Sequence, residues 1–185
     1  FYKVGMELFY GAGPDIIRYL KDKDNKVFLD LKLQDIPNTV AHSLAVLTRL
    51  GADIMNVHAV GGPKMMAEGM KAVQEAAAEM GRPAPKLIAV TVLTSMDEAQ
   101  WKPLNYAKPI GEEVLDLAAL TKESGLDGVV ASPREAAGIR ERCGKDFLIV
   151  TPGVRPAWAA ANDQSRIATP AAAIGNVSTQ LVVGR

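Results

Sequence analysis

Asp30-Leu31-Lys32-Leu33-Gln34-Asp35-Ile36-Pro37-Asn38-Thr39 directly follows the apolar run Val27-Phe28-Leu29. That run reads as a strand. Side chains at i and i+2 of a strand share a face, roughly 6.6–7 Å apart along it, and Asp30 and Lys32 have this spacing. A carboxylate and an ammonium on one face of a strand that otherwise reads as core are costly to bury. One reading is a surface ion pair on an edge strand. The other is a catalytic pair at the carboxyl end of a barrel strand, with Asp35 close behind in the loop.

Outward from this run, strand and helix signals alternate along the chain. Strands are expected at 2–6, 26–31, 54–58, 87–93, 128–131, 147–150 and 181–183, with helices at 15–23, 40–50, 64–80, 111–124, 134–142 and, shorter, 170–174. Gly51, Gly81 and Gly125 stand where helices should end in a C-terminal cap. Gly51-Ala52-Asp53 and Gly125-Leu126-Asp127 mark two similar helix-to-strand junctions. Short apolar strands, each followed by a helix, indicate a parallel sheet covered by helices. The architecture expected is a (β/α)8 barrel, with a doubly wound open sheet as the alternative. Such a barrel needs eight strands and about 200 residues or more. The 185 residues are therefore expected to be one α/β barrel domain, 1–185, truncated at both ends, with seven of eight strands and without the last helix.

Composition narrows the function classes. Apolar residues make up 48% and charged residues 23%, as in an ordinary globular domain. Lys plus Arg and Asp plus Glu both number 21, and no basic run stands out, which argues against a nucleic-acid or membrane-surface role. No apolar stretch approaches a membrane span in length. Cys143 is the single cysteine, so no internal disulfide forms; this fits a reducing cytoplasm. Its place at a Lys/Arg-rich helix end points to a structural role rather than a nucleophilic one.

In a parallel barrel, reactive groups sit at the carboxyl ends of strands. Those ends carry Lys3 with Glu7, the Asp30/Lys32/Asp35 group, His58, Thr91 to Ser95, Ser132, Thr151 to Arg155, and Gly184-Arg185. Thr151-Pro152-Gly153-Val154-Arg155 and Gly184-Arg185 follow what would be the seventh and eighth strands. That is where this architecture commonly grips phosphate with backbone N–H groups and an Arg fork. The stretch 155–166 is long for a βα loop; it is expected to be a lid over ligand or a merely mobile loop, and its Gln164 offers an amide to a phosphate oxygen. His58 is a weak base or ligand candidate without a partner at metal spacing, and His42 reads as helix surface. No Cys/His cluster, P-loop or dinucleotide fingerprint occurs. Thr94-Ser95 could hydrogen-bond a planar base or simply cap the next segment of chain.

The Asp30–Thr39 run resembles the signature of the orotidine 5′-phosphate decarboxylase family, in its bacterial monofunctional form. The likeness extends, in order, through Lys3-Val4-Gly5-Met6-Glu7, Val57-His58-Ala59, 90–95, Thr151 to Arg155, Asp163-Gln164 and Val182-Val183-Gly184-Arg185. The resemblance implies a homodimeric (β/α)8 barrel that converts orotidine 5′-monophosphate to uridine 5′-monophosphate, the last step of de novo pyrimidine synthesis, without cofactor or metal. It implies a charged network of Lys3, Asp30 and Lys32, completed by Asp35 of the neighbouring subunit, with Lys32 as proton donor. Ile36 and Thr39 would also reach the partner's site. Thr94 would meet the base, Pro152 would border it, and Arg155, Gln164, Gly184 and Arg185 would hold the phosphate end. The family's ribose-contacting Asp lies on a first strand that this sequence does not contain. Magnesium-dependent sugar-phosphate decarboxylases and hexulose-phosphate synthases share the Asp-x-Lys-x-x-Asp pattern but carry a Glu metal ligand where this chain has Lys3. A non-catalytic phosphate-binding barrel is the remaining rival, though binding alone would not need all four charged residues.

Overall fold

The computed structural model describes residues 1–154, 168–175 and 177–184. These form two compact units, residues 1–89 with 124–126, and residues 90–123 with those from 127 onward.

In the first unit the chain runs β1 (Tyr2–Gly5), α1 (Met6–Ala12), α2 (Asp15–Lys21), β2 (Val27–Leu33), α3 (Pro37–Arg49), β3 (Ile54–His58), a 3-10 turn, α4 (Pro63–Glu79) and β4 (Lys86–Val90), whose last residue belongs to the second unit. Strand order follows chain order, and β1–β2 and β2–β3 pair in parallel. Val27, Phe28, Leu29 and Leu31 of β2 are buried, as are Ile54, Met55 and Val57 of β3. Near-continuous burial is what a parallel strand covered on both faces shows. Helices α3 and α4 pack against each other, and Val40, Leu44 and Leu47 of α3 and Met65, Met66, Met70 and Val73 of α4 are buried. At the opposite end of the strands from the charged run, the Asp53 carboxylate accepts from Lys21 Nζ and from the Val27 N–H, both at 2.8 Å. The Gly-Ala-Asp junction thereby ties the start of β2 to the start of β3.

The second unit contains α5 (Glu98–Trp101), α6 (Ile110–Glu123), β5 (Gly128–Val130), α7 (Ala136–Cys143), β6 (Leu148–Thr151), α8 (Pro170–Gly175) and β7 (Gln180–Leu181). Here too β5–β6 and β6–β7 pair in parallel. Arg140 on α7 donates from Nη1 to the carbonyls of Gly144, Lys145 and Phe147, and from Nη2 to Thr179 Oγ1. One guanidinium thus holds the α7–β6 turn and the lead into β7 together. Cys143 is buried at the end of α7, and burial raises its thiol pKa, in line with a structural role.

Several boundaries differ from the sequence reading. The segment after β1 is helix α1 from Met6, so Glu7 is helical and exposed rather than at a strand end. Helix α1 buries none of its residues, so it carries no apolar period to reveal it. Strand β4 ends at Val90, and β2 runs on to Leu33 because its ladder is interrupted and then resumes. The helix ends expected at Gly51, Gly81 and Gly125 are present, with φ of 92°, 61° and 84°.

At Gly128, an added Cβ would lie 2.3 Å from the Leu148 carbonyl oxygen of β6, whereas at Gly11 in α1 nothing lies within 4 Å. Gly128→Ala should therefore force β5 from β6 and cost about 1–3 kcal/mol. Gly11→Ala should instead stabilise by about 0.5–1 kcal/mol, through lost freedom of the unfolded chain. Urea denaturation of the two variants separates these outcomes; equal midpoints would remove the close approach as the reason for glycine at 128.

Candidate active site

The β1–β2 register sets Lys3 opposite Phe28 and Gly5 opposite Asp30. Two ammonium groups then converge on one carboxylate. Lys3 Nζ lies 3.1 Å from Asp30 Oδ2, and Lys32 Nζ donates to Asp30 Oδ1 at 2.7 Å. A Cβ on Gly5 would come within 3.3 Å of Lys3 Nζ, so glycine here leaves the ammonium its room.

Lys32 meets Asp30 from an irregular stretch of β2. Between Leu29 and Leu33 β2 advances four residues while β3 advances two, from Met55 to Val57, which is a bulge. Lys32 sits inside it with φ of 52°, in the left-handed region, at a cost of about 1–2 kcal/mol for a residue with a Cβ. The turn folds the lysine back onto Asp30 and removes the Lys32 N–H from the ladder. That N–H donates instead to Asn56 Oδ1 of β3 at 2.8 Å, while Asn56 Nδ2 donates to Asp30 Oδ1 at 2.7 Å.

The Asp30 residue is only 8% exposed. Burial is the largest single influence on its carboxyl and pushes the pKa up. Against it act the Lys32 hydrogen bond and charge, the Asn56 hydrogen bond and the Lys3 charge, and together they hold Asp30 below its ordinary 3.8. His58, two residues beyond Asn56 on β3, has its pKa lowered by burial and by the Lys32 charge, against a smaller opposing effect of Asp30. Its imidazole is therefore neutral at neutral pH. Lys3, Lys32 and Asp30 carry a net charge of +1 (two ammonium groups less one carboxylate). Such a cluster favours negative charge developing beside it.

Asp35 does not join this cluster within its own chain. It is exposed, its Oδ1 accepts from the Ile36 N–H at 2.6 Å, and it forms no ion pair among the described residues. Ile36 and Thr39 are exposed beside it, Ile36 by 66%, where Pro37 opens α3. His42 is exposed on α3, as its sequence position suggested.

In the second unit Thr94 is buried, Pro152 is half-buried directly after β6, and Gly184 is exposed. Thr91 donates through Oγ1 to the Val130 carbonyl at 2.9 Å, and Thr151 through Oγ1 to the Gln180 carbonyl at 3.2 Å. Both hydroxyls serve the sheet. Ser132 Oγ accepts from the Arg134 N–H at 3.2 Å in a strand-to-helix turn. Arg155, Gln164, Arg185 and the stretch 155–166 lie outside the described residues. Among the described residues no group of three or more His, Cys, Asp or Glu side chains is placed to hold a metal ion.

Asn56 is the site residue that the sequence reading passed over. Its signal was present: a lone amide between Met55 and Val57 in an otherwise apolar strand, two positions before His58. A buried polar side chain of that kind requires partners.

The Asp30 balance yields a direct prediction. Lys32→Ala removes two of the influences that lower the carboxyl pKa and leaves burial, so Asp30 should titrate above its wild-type value in a carboxyl-carbon NMR titration. In the wild type the folded pKa lies below the unfolded one. Asp30 therefore contributes stability above about pH 3.8 that is lost as pH falls through the folded value. An unmoved Asp30 resonance in the variant would contradict the pairing.

The sequence profile described as "Orotidine 5'-phosphate decarboxylase / HUMPS family" matches residues 1–185. A relative from Moorella thermoacetica, named orotidine 5′-phosphate decarboxylase, is 52% identical over 185 residues, covering all of this chain and 73% of its own length. One of the same name from Bacillus caldolyticus is 53% identical over 186 residues, with 76% of its length covered. The crystal structure of orotidine 5′-phosphate decarboxylase from Lactobacillus acidophilus superposes with a TM-score of 0.87 at 44% identity, over all of this chain and 78% of that one. The chain thus spans about three quarters of the length of these proteins. Its α/β fold is that of their TIM barrel, with seven strands among the described residues. With the profile matched from end to end and half the residues shared with named relatives, the chain belongs to the orotidine 5′-phosphate decarboxylase family.

Proposed function

We infer that this chain decarboxylates orotidine 5′-monophosphate to uridine 5′-monophosphate in pyrimidine biosynthesis. The observation that carries the chemistry is the buried Asp30 carboxylate held between the ammonium groups of Lys3 and Lys32. Breaking the bond to the departing carboxylate leaves its electron pair on a ring carbon with no adjacent electron sink. A fixed ammonium beside that carbon stabilises the charge without reorganising during the reaction. Lys32 would supply this charge and then pass its proton to the carbon as carbon dioxide leaves, recovering it afterwards from solvent. Asp30 would lie beside the substrate carboxylate, where repulsion favours departure, and would keep Lys32 in place.

The remaining assignments complete this reading. Residues 1–185 belong to a single barrel domain in a cytoplasmic homodimer. Asp35, Ile36 and Thr39 of each subunit enter the partner's site, and their exposure beside the start of α3 supports this. Thr94 and Pro152 border the base, and Arg155, Gln164, Gly184 and Arg185 hold the phosphate. No helix among the described residues is long and apolar enough to cross a membrane.

The rival enzyme is the magnesium-dependent sugar-phosphate decarboxylase or aldolase that shares the Asp-x-Lys-x-x-Asp pattern. Lys3 argues against it, since an ammonium 3.1 Å from Asp30 repels a divalent cation where a carboxylate would bind it.

Turnover of orotidine 5′-monophosphate, followed by the loss of its ultraviolet absorbance, should be insensitive to chelator. Lys32→Ala should abolish it while uridine 5′-monophosphate still binds. Dependence on added magnesium, or turnover of a keto-sugar phosphate instead, would refute the assignment. A shared site makes a further demand. Asp35→Ala and Lys32→Ala subunits, each inactive alone, should recover activity when mixed, because a hybrid dimer holds one site with both residues intact. Failure to recover despite demonstrated subunit exchange would rule out the partner role of Asp35.

A further inference from the structure

We propose that Asn56 is a positioning residue for the reaction, the clamp that fixes Lys32 and Asp30 in their working geometry. This rests on the functional reading above and extends it to a residue that touches neither the substrate nor a reacting atom in that reading.

The bulge in β2 creates two needs at once. It leaves the Lys32 N–H without a strand partner, and it presses a lysine with φ of 52° against a buried carboxylate. Asn56 is 1% exposed and answers both needs with one side chain. Its Oδ1 accepts from the Lys32 N–H at 2.8 Å, and its Nδ2 donates at 2.7 Å to Asp30 Oδ1, the oxygen that also receives Lys32 Nζ at 2.7 Å. The chemistry fixes the orientation of the amide. Reversed, it would set NH2 against N–H and oxygen against carboxylate oxygen, losing both bonds. The result is a closed ring of contacts, from Lys32 backbone to Asn56, Asn56 to Asp30, and Asp30 to the Lys32 side chain.

At this position one amide does both jobs, accepting at one atom and donating at the other. An acceptor alone would hold the bulge but leave a buried carboxylate oxygen one donor short. A donor alone would satisfy Asp30 and abandon the Lys32 N–H. A carboxylate would hold the backbone but repel Asp30. The titratable groups around this position are Asp30 and Lys32, which Asn56 contacts, Lys3 on the other oxygen of Asp30, and His58 two residues along the same strand. Asn56 therefore sets where the Lys32 ammonium stands relative to a reacting carbon, and a displacement of about 1 Å there is enough to cost about 100-fold in rate.

The test uses the full chain with Asn56→Ala and the nearly isosteric Asn56→Asp. Turnover of orotidine 5′-monophosphate is measured from pH 5 to pH 9, with uridine 5′-monophosphate affinity measured by calorimetry. Asn56→Ala should lower kcat by about 100-fold with KM and product affinity changed by less than about threefold. In Asn56→Asp, kcat should climb toward the wild-type value as pH is lowered. Protonation of the introduced carboxyl restores a donor to Asp30 while its other oxygen still accepts from Lys32. A purely structural role would not produce that slope, and this second variant decides the matter even if the alanine variant fails to fold. Near wild-type kcat in both variants, or a loss that tracks nucleotide affinity at every pH, would overturn the proposal. Wild-type protein without turnover would instead overturn the functional reading, whatever Asn56 does.

Discussion

A carboxylate that gives up its water must have its lone pairs taken by donors, or it will not stay ionised. Asp30 is placed under that constraint by its own strand, since Val27, Phe28, Leu29 and Leu31 are all core. Lys3 arrives from β1, one oxygen away from the Lys32 ammonium, and Asn56 arrives from β3. Three adjacent parallel strands are thus joined by one charged group as well as by their backbone ladders. The bulge at Lys32 and the amide in the middle of β3 both make sense once that carboxylate is taken as fixed.

Burial and pairing must be weighed together here. Burial alone would drive Asp30 toward the neutral acid, and it is the largest single influence on the group. The ammonium groups and the amide outweigh it only in combination. A site built this way tolerates little loss, because removal of any one donor leaves a buried charge partly uncompensated. The same balance explains why the cluster suits catalysis better than stability. Its backbone is strained at Lys32, its net charge is positive, and hydrophobic residues of similar size would pack the same space at lower cost.

Much of the fold was legible because parallel strands announce themselves as short apolar runs between helices, and because Gly51, Gly81 and Gly125 stop helices through backbone conformations that other residues resist. Helix α1 was not legible, since Met6–Ala12 buries nothing and so shows no period. The ion pair of Asp30 and Lys32 was legible from spacing, but for an incomplete reason. An i, i+2 spacing puts two side chains on one face within a lysine's reach, but the bulge and the left-handed Lys32 from which the contact is made show in no local pattern. The Lys32 N–H in that conformation is taken up by Asn56 of β3, a contact that belongs to tertiary structure. Asn56 itself could have been found by asking what a solitary amide does inside an apolar strand.

The charge count ties the cluster to the proposed assembly. Within one chain, Lys3 and Lys32 outnumber Asp30, whereas Asp35, five residues further on, is exposed and hydrogen-bonded only to the neighbouring Ile36 N–H among the contacts described. The sequence supplies as many carboxylates as ammonium groups in this motif, but the fold leaves one of them outside its own cluster. In a homodimer that places Asp35 against the partner's Lys32, the two charges balance, and the Lys32 ammonium is flanked by carboxylates before substrate enters. Lys32 would then be held from two sides, by Asp30 and Asn56 within the chain and by a carboxylate across the interface. On that arrangement the position of the proton donor depends on quaternary structure, and the exposed Asp35–Thr39 segment is part of the active site rather than surface decoration.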